Sequence, residues 1–124
     1  MNDNRPVNLN LATIKFPVTA ISSIIHRITG VFLFLAIPLV LWTLATSLSS
    51  ESGFARAHAM LTSGFTSLVA WAVLSALLYH VIAGVRHILM DMGIGEGAQS
   101  GPRGAQLVLA LGIVAAILAG VWIW

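Results

Sequence analysis

Three runs along the chain, residues 28–50, 57–85 and 104–124, contain no Lys, Arg, Asp or Glu. Each is long enough to cross a bilayer core as a helix, which takes about 20 apolar residues. The pattern predicts an all-α membrane protein with three transmembrane helices. Polar positions set the bounds: an N-terminal arm over 1–20, a first helix over 21–50, a second over 57–91, a loop over 92–103 and a third helix over 104–124. Pro6 and Pro17 interrupt the arm. Pro38, well inside the first helix, predicts a kink, because it removes a backbone donor and its ring crowds the preceding turn. SSESGFAR (49–56) reads as a short connection and the glycine-rich 93–104 as a flexible turn. The terminal WIW suits an aromatic belt at the membrane surface.

Composition agrees with that pattern. Hydrophobic residues make up 58% and charged residues 8% of the 124 positions, and mean hydropathy is +0.95. These values exclude an ordinary soluble domain and leave little room for a catalytic head. Arg5, Lys15 and Arg27 precede or open the first helix, Arg86 and Arg103 flank the second connection, and Arg56 alone lies on the other side. The bias of basic residues toward the cytoplasm then places the N-terminus in the cytoplasm and the C-terminus in the periplasm. A formal charge of +2 gives no indication of nucleic-acid binding. The chain has no cysteine, so it holds neither disulfides nor iron–sulfur clusters. No removable signal peptide is expected, since no basic start leads into a short apolar run with a small-residue cleavage site.

Against this apolar background the segment YHVIAGVRHILMD (79–91) stands out. Ionisable groups in hydrocarbon are costly and normally face a bundle interior, a cofactor or a wet cavity. At about 100° per residue, Ala76, His80, Gly84 and His87 share one narrow stripe, from which Tyr79 and Arg86 point away. His80 lies about 10 Å deeper than His87, at about 1.5 Å rise per residue. With small residues on either side of it, a flat bulky group could lie against the helix. The helix alone leaves two readings open: His80 as a packing residue bonded to a neighbouring helix, or His80 as a cofactor ligand. As a ligand it suits haem iron better than zinc, which gathers three or four protein donors. His26 and His87 read as marginal, and His58, near the opposite surface, as interfacial. One deep histidine implies that a six-coordinate haem takes its other ligand from another chain.

The margin holds further chemistry. His26, Arg27, Arg86 and His87 could meet anionic propionates, although Arg and His at helix ends also commonly reach for lipid head groups. Asp91, one turn beyond His87, suggests a His87–Asp91 contact. Ser23 and Arg27 share a helical face on which two donors could meet quinone carbonyls. Spacing alone favours a plainer role for Ser23, bonding to its own helix backbone.

Two motifs carry a resemblance: RPVNLNLATIKFPVTAISSIIHRITG (5–30), with its Ser-x-x-His-Arg-x-Thr-Gly core, and HVIAGVRHILMDMG (80–93). Together with the three predicted helices, they make the whole chain resemble the membrane-anchor subunits of succinate:quinone oxidoreductases, of the cytochrome b556 type found in bacterial succinate dehydrogenase. The resemblance implies a subunit without catalysis of its own in respiratory complex II of the bacterial inner membrane. It implies His80 as an axial ligand of haem b, with the other ligand from a second anchor subunit. It implies a ubiquinone site at Ser23, Ile24 and Arg27, and a haem-propionate environment at His26, Arg27 and His87. Partners would be that second anchor subunit, an iron–sulfur subunit, a flavoprotein subunit and lipid, with trimers of complexes left open. Three alternatives stand beside it: a fumarate reductase anchor, a haem-free structural anchor, and a channel or transporter subunit with a proton-conducting His80.

Overall fold

In the computed structural model, which describes residues 9, 10 and 12–124, the chain forms four helices and, among the described residues, no strand. Arg5 and Pro6 lie outside the described residues. The helices are α1 (Val18–Ser49), α2 (Glu51–Leu61), α3 (Gly64–Asp91) and α4 (Ser100–Ile123). α1, α3 and α4 are long and apolar enough to cross a membrane. The chain is a multi-pass membrane protein. Large apolar side chains such as Leu35, Ile113 and Val121 are exposed along these helices, where lipid is the solvent.

The helix starts and stops follow from local chemistry. α1 begins at Val18, one turn before the expected 21, because the Pro17 carbonyl accepts from Ala20 and Ile21 and so nucleates the first turn. The helix continues unbroken through Pro38. The 49–56 connection is shorter than expected, since α2 already starts at Glu51. There the Ser50 hydroxyl accepts from the Gly53 amide at 3.0 Å, and Glu51 complements the positive helix N-terminus. Gly53 is buried where a Cβ would collide with Ser49 Oγ and the Thr46 carbonyl, so α2 can fold back closely onto α1.

The expected helix over 57–91 is in fact two. Thr62 and Ser63 separate α2 from α3, which starts at Gly64 with φ +27°. The run is uncharged, so hydropathy could not register the break. Hydroxyl groups produce it: Thr62 Oγ1 donates to the His58 carbonyl, Ser63 and Thr66 to Met60, and the buried Ser67 to Leu61 at 2.9 Å. The last carbonyls of α2 are thereby satisfied without continuing the helix. α2 buries Gly53 and Ala57 and exposes Glu51 and Arg56, the arrangement of an interfacial helix and not of a span. At the far end, α3 stops at Gly93 (φ +79°). Gly93 N–H donates to Met90 and Ile94 N–H to Leu89, the paired bonds of a left-handed helix cap.

α3 and α4 form the most extensive pairing. Gly101, Ala105, Val108, Gly112 and Ala119 make the buried face of α4, small enough for close backbone approach. Two long polar side chains pin this hairpin at its ends. Trp71 Nε1 donates to the Ala116 carbonyl at 2.8 Å, and Arg86 donates to the Gly101 carbonyl at 2.9 Å while lying over Gly104. At the centre Tyr79, 7% exposed, presses its ring onto Gly112 and sends its hydroxyl across to α1. It donates to the Ser22 carbonyl at 2.9 Å and lies 3.2 Å from the fully buried Ser22 hydroxyl.

This junction predicts two graded outcomes. Tyr79→Phe removes the bonds to Ser22 and lowers stability by about 1 kcal/mol, the scale of a hydrogen bond between membrane helices. Gly112→Val is more damaging, because even a Cβ at Gly112 falls 2.5 Å from Tyr79 Cδ2. Unfolding in mild detergent should rank wild type above Tyr79→Phe and Tyr79→Phe above Gly112→Val.

Candidate functional site

One residue beyond Tyr79, α3 turns His80 toward α1. His80 Nδ1 lies 3.1 Å from the His26 carbonyl oxygen and 3.1 Å from Thr29 Oγ1. Thr29 itself donates to the same carbonyl at 2.9 Å. A carbonyl oxygen can only accept, so the contact with His26 requires the proton on Nδ1. The Thr29 hydrogen is committed to that carbonyl, which leaves its oxygen as a second acceptor for Nδ1–H. Satisfying all three contacts at once assigns the neutral His80 ring the Nδ1–H tautomer, with its lone pair on Nε2. Nε2 has no hydrogen-bond partner among the described residues. Gly30 permits the approach, since a Cβ there would come within 3.1 Å of His80 Cε1.

His26 lies between His80 and His87 in a three-ring stack. Ring centroids are 4.1 Å apart for His26–His80 and 4.8 Å for His26–His87, each pair inclined by 20°. His87 Nδ1 donates to the Ala83 carbonyl one turn earlier, at 2.7 Å. His26 Nε2 is buried without a hydrogen-bond partner. It is also the closest side-chain atom to Gly84, 3.6 Å from where a Cβ would stand. Near-parallel rings keep their nitrogens in separate planes, and no group of three metal-ligating side chains converges among the described residues.

This arrangement revises four expectations. His26 is not confined to the margin: its imidazole reaches the ring of His80. The slot beside Gly84 is lined by His26 and is not open along the helix. The His87–Asp91 contact does not form, because the His87 Nδ1 proton goes to the backbone while Asp91 stays exposed. Arg86 also leaves the marginal cluster, its guanidinium being committed to Gly101.

On α1, Ser23 is half-buried and Arg27 exposed, one helical turn apart on one face. Among the described residues neither side chain has a hydrogen bond or an ion pair. The expected bond from Ser23 to its own helix backbone is absent, while Thr29, Thr43 and Thr46 on the same helix do make such bonds. Ile24, 41% exposed, supplies apolar surface beside them. His58 stands apart from this group on α2, next to Phe54.

Comparison with known proteins matches residues 1–119 to the family described as succinate dehydrogenase/fumarate reductase transmembrane subunit. The chain belongs to this family. It is 44% identical, over the full length of both chains, to the succinate dehydrogenase cytochrome b556 subunit of Coxiella burnetii. It is 34% identical to the cytochrome b556 subunit of Paracoccus denitrificans, over 93% of this chain and 88% of the relative. The succinate dehydrogenase cytochrome b560 subunit of Reclinomonas americana is 37% identical over 75% of this chain and 68% of its own.

Within this succinate dehydrogenase/fumarate reductase subunit, sequence reasoning missed Thr29, Gly30 and the Ser22–Tyr79 pair. Thr29 carried a signal: it follows His26 by three residues, the spacing at which a hydroxyl can bond back to a helix carbonyl. Tyr79 carried another, as the single tyrosine of the chain. The tautomer assignment has a direct check. Side-chain 15N spectra of histidine-labelled protein, assigned with His80→Gln, should show a protonated Nδ1 and an unprotonated Nε2 on His80 when the ring is neutral. The reverse pattern would contradict the contact with His26.

Proposed function

We propose that this chain is the membrane-anchoring cytochrome b subunit of a bacterial succinate dehydrogenase, with His80 Nε2 as one axial ligand of haem b and Ser23 and Arg27 as donors to ubiquinone. The observation that carries the haem reading is the clamp on His80. An imidazole that donates Nδ1–H to a backbone carbonyl and keeps Nε2 unpaired has the outer-shell arrangement of a metal-bound histidine. A packing histidine would use both nitrogens or show no such preference. His87 makes the same kind of bond, to the Ala83 carbonyl of its own helix, but no third ligating side chain joins the two among the described residues, so a lone protein-held zinc is a poor match, whereas haem brings four nitrogen donors of its own. The residues therefore fit the group. The buried, unpartnered Nε2 of His26 fits a propionate or an ordered water, and His87 and Arg27 fit the same anionic edge. When bound, haem b would supply a one-electron carrier beside the quinone.

For the quinone, Ser23 and Arg27 offer two donors not already used among the described residues, with Ile24 as apolar wall. Reduction of a quinone to a quinol takes two electrons and two protons, and negative charge builds on a carbonyl oxygen as electrons arrive. Arg27 would stabilise that charge and Ser23 would orient the oxygen by hydrogen bonding. Because the chain has no cysteine, iron–sulfur clusters delivering the electrons belong to a separate subunit, and a flavoprotein subunit would oxidise succinate. A second anchor subunit would bring the opposite haem ligand. The placement of Lys15, Arg27, Arg86 and Arg103 on one side of the spans supports a cytoplasmic N-terminus. Working as a fumarate reductase anchor is the second reading, which the family's own description includes.

In purified complex, His80→Ala should weaken or abolish the reduced-minus-oxidised b-type haem band, and an unchanged band would remove His80 as ligand. Ser23→Ala and Arg27→Leu should each slow quinone reduction by about tenfold or more, corresponding to roughly 1.4 kcal/mol of lost transition-state stabilisation. Succinate oxidation by a soluble acceptor should persist in both. Undiminished quinone reduction in both variants would sink the quinone assignment. For the topology, Arg103→Cys should react with a membrane-impermeant maleimide in inverted vesicles and not in intact spheroplasts.

A further inference from the structure

We infer that Thr29 is a positioning residue that sets the donor strength of His80 toward iron, so that its hydroxyl tunes the haem potential. This rests on the reading of His80 as a haem ligand and goes beyond it, to a residue that touches neither iron nor quinone.

The inference stands on the hydrogen-bond triangle between α1 and α3. Thr29 Oγ1, the His26 carbonyl oxygen and His80 Nδ1 are mutually bonded at 2.9, 3.1 and 3.1 Å. One assignment makes all three contacts hydrogen bonds: Thr29 O–H donates to the carbonyl, and His80 Nδ1–H is shared between the carbonyl and the Thr29 oxygen. Two acceptors drawing on one N–H move electron density onto the imidazole ring and strengthen Nε2 as a donor. A stronger donor favours ferric over ferrous iron and lowers the potential. The Thr29 hydroxyl also holds the carbonyl in place, and Gly30 next to it admits the His80 ring at van der Waals limit. Position 29 thus acts on ring orientation and ring electronics together, whereas the Thr29 methyl group takes no part in the triangle.

That separation of hydroxyl from methyl defines the test. Thr29→Val keeps the shape and removes the hydroxyl, and Thr29→Ser keeps the hydroxyl and removes the methyl. In the intact purified complex, redox titration of the haem band should show Thr29→Ser close to wild type and Thr29→Val raised in potential. A tenfold loss of ferric-over-ferrous preference, the low end of outer-shell effects, corresponds to about 59 mV for a one-electron couple. Haem retention on dilution should fall in Thr29→Val in parallel. The opposite ranking, with Thr29→Val unchanged and Thr29→Ser shifted, would assign Thr29 to packing and overturn the inference, as would a wild-type potential in both. If Thr29→Val does not assemble, Thr29→Ala against Thr29→Ser poses the same question, since they differ only in the hydroxyl. His80→Ala is run alongside. A haem unaffected by His80→Ala defeats the ligand reading itself, whereas a haem lost in His80→Ala but unmoved by Thr29→Val or Thr29→Ala defeats only the role of Thr29.

Discussion

The hydroxyl of Tyr79 reaching Ser22 is the contact on which the geometry of the site depends. α3 and α4 hold each other through small residues and two polar pins, but α1 needs a reason to lie at one height and one rotation against them. Tyr79 supplies it. Its ring is fixed from behind by Gly112, and its hydroxyl finds both a carbonyl and a hydroxyl on α1. In hydrocarbon, an unsatisfied polar group costs several kcal/mol, so sliding or rotating α1 is penalised. The next residue on α3 is His80, and one to two turns beyond Ser22 on α1 are His26, Thr29 and Gly30. Fixing Tyr79 on Ser22 therefore registers the imidazole against its clamp.

The two helical faces of α1 near this point divide the work. One face, with Ser22, His26 and Thr29, is consumed by contacts to α3. The other, with Ser23, Ile24 and Arg27, faces away from α3 and stays at least partly exposed. Adjacent serines thus differ: Ser22 is fully buried and bonded, whereas Ser23 is half-buried and, among the described residues, without a hydrogen bond. Helical periodicity separates them by about 100°, which is enough to turn one into the helix packing and the other away from it.

Much of this was legible in the linear chain, for specific reasons. Charge-free runs revealed the three spanning helices because no charged residue can be placed cheaply in hydrocarbon. Period arithmetic put His80, Gly84 and His87 on one stripe because helix geometry is rigid. It failed where the decisive groups were hydroxyls. Thr62 and Ser63 end α2 inside an uncharged run, and Thr29 orients His80 from another helix 51 positions away in sequence. Hydroxyls weigh little on any hydropathy scale and act by direction, which a one-dimensional pattern does not encode. The stack of His26 on His80 was invisible for a related reason: depth along one helix says nothing about how far a neighbouring helix is shifted. Arg86 looked like a marginal cation, yet its guanidinium is committed to closing the α3–α4 hairpin.

Both acceptors for His80 Nδ1–H belong to α1, while His80 itself belongs to the α3–α4 hairpin. During biogenesis, a hairpin inserted without α1 at its side would carry an imidazole free to interchange tautomers and rotamers. Once α1 docks, the ring is held in one orientation, with Nδ1 turned to α1 and Nε2 turned away from it. Competence to accept a cofactor is then a property of the finished helix packing and not of the histidine alone. With His80 as the proposed haem ligand, the clamp would couple cofactor loading to correct folding, and a mispacked subunit would be poorly prepared to take up haem.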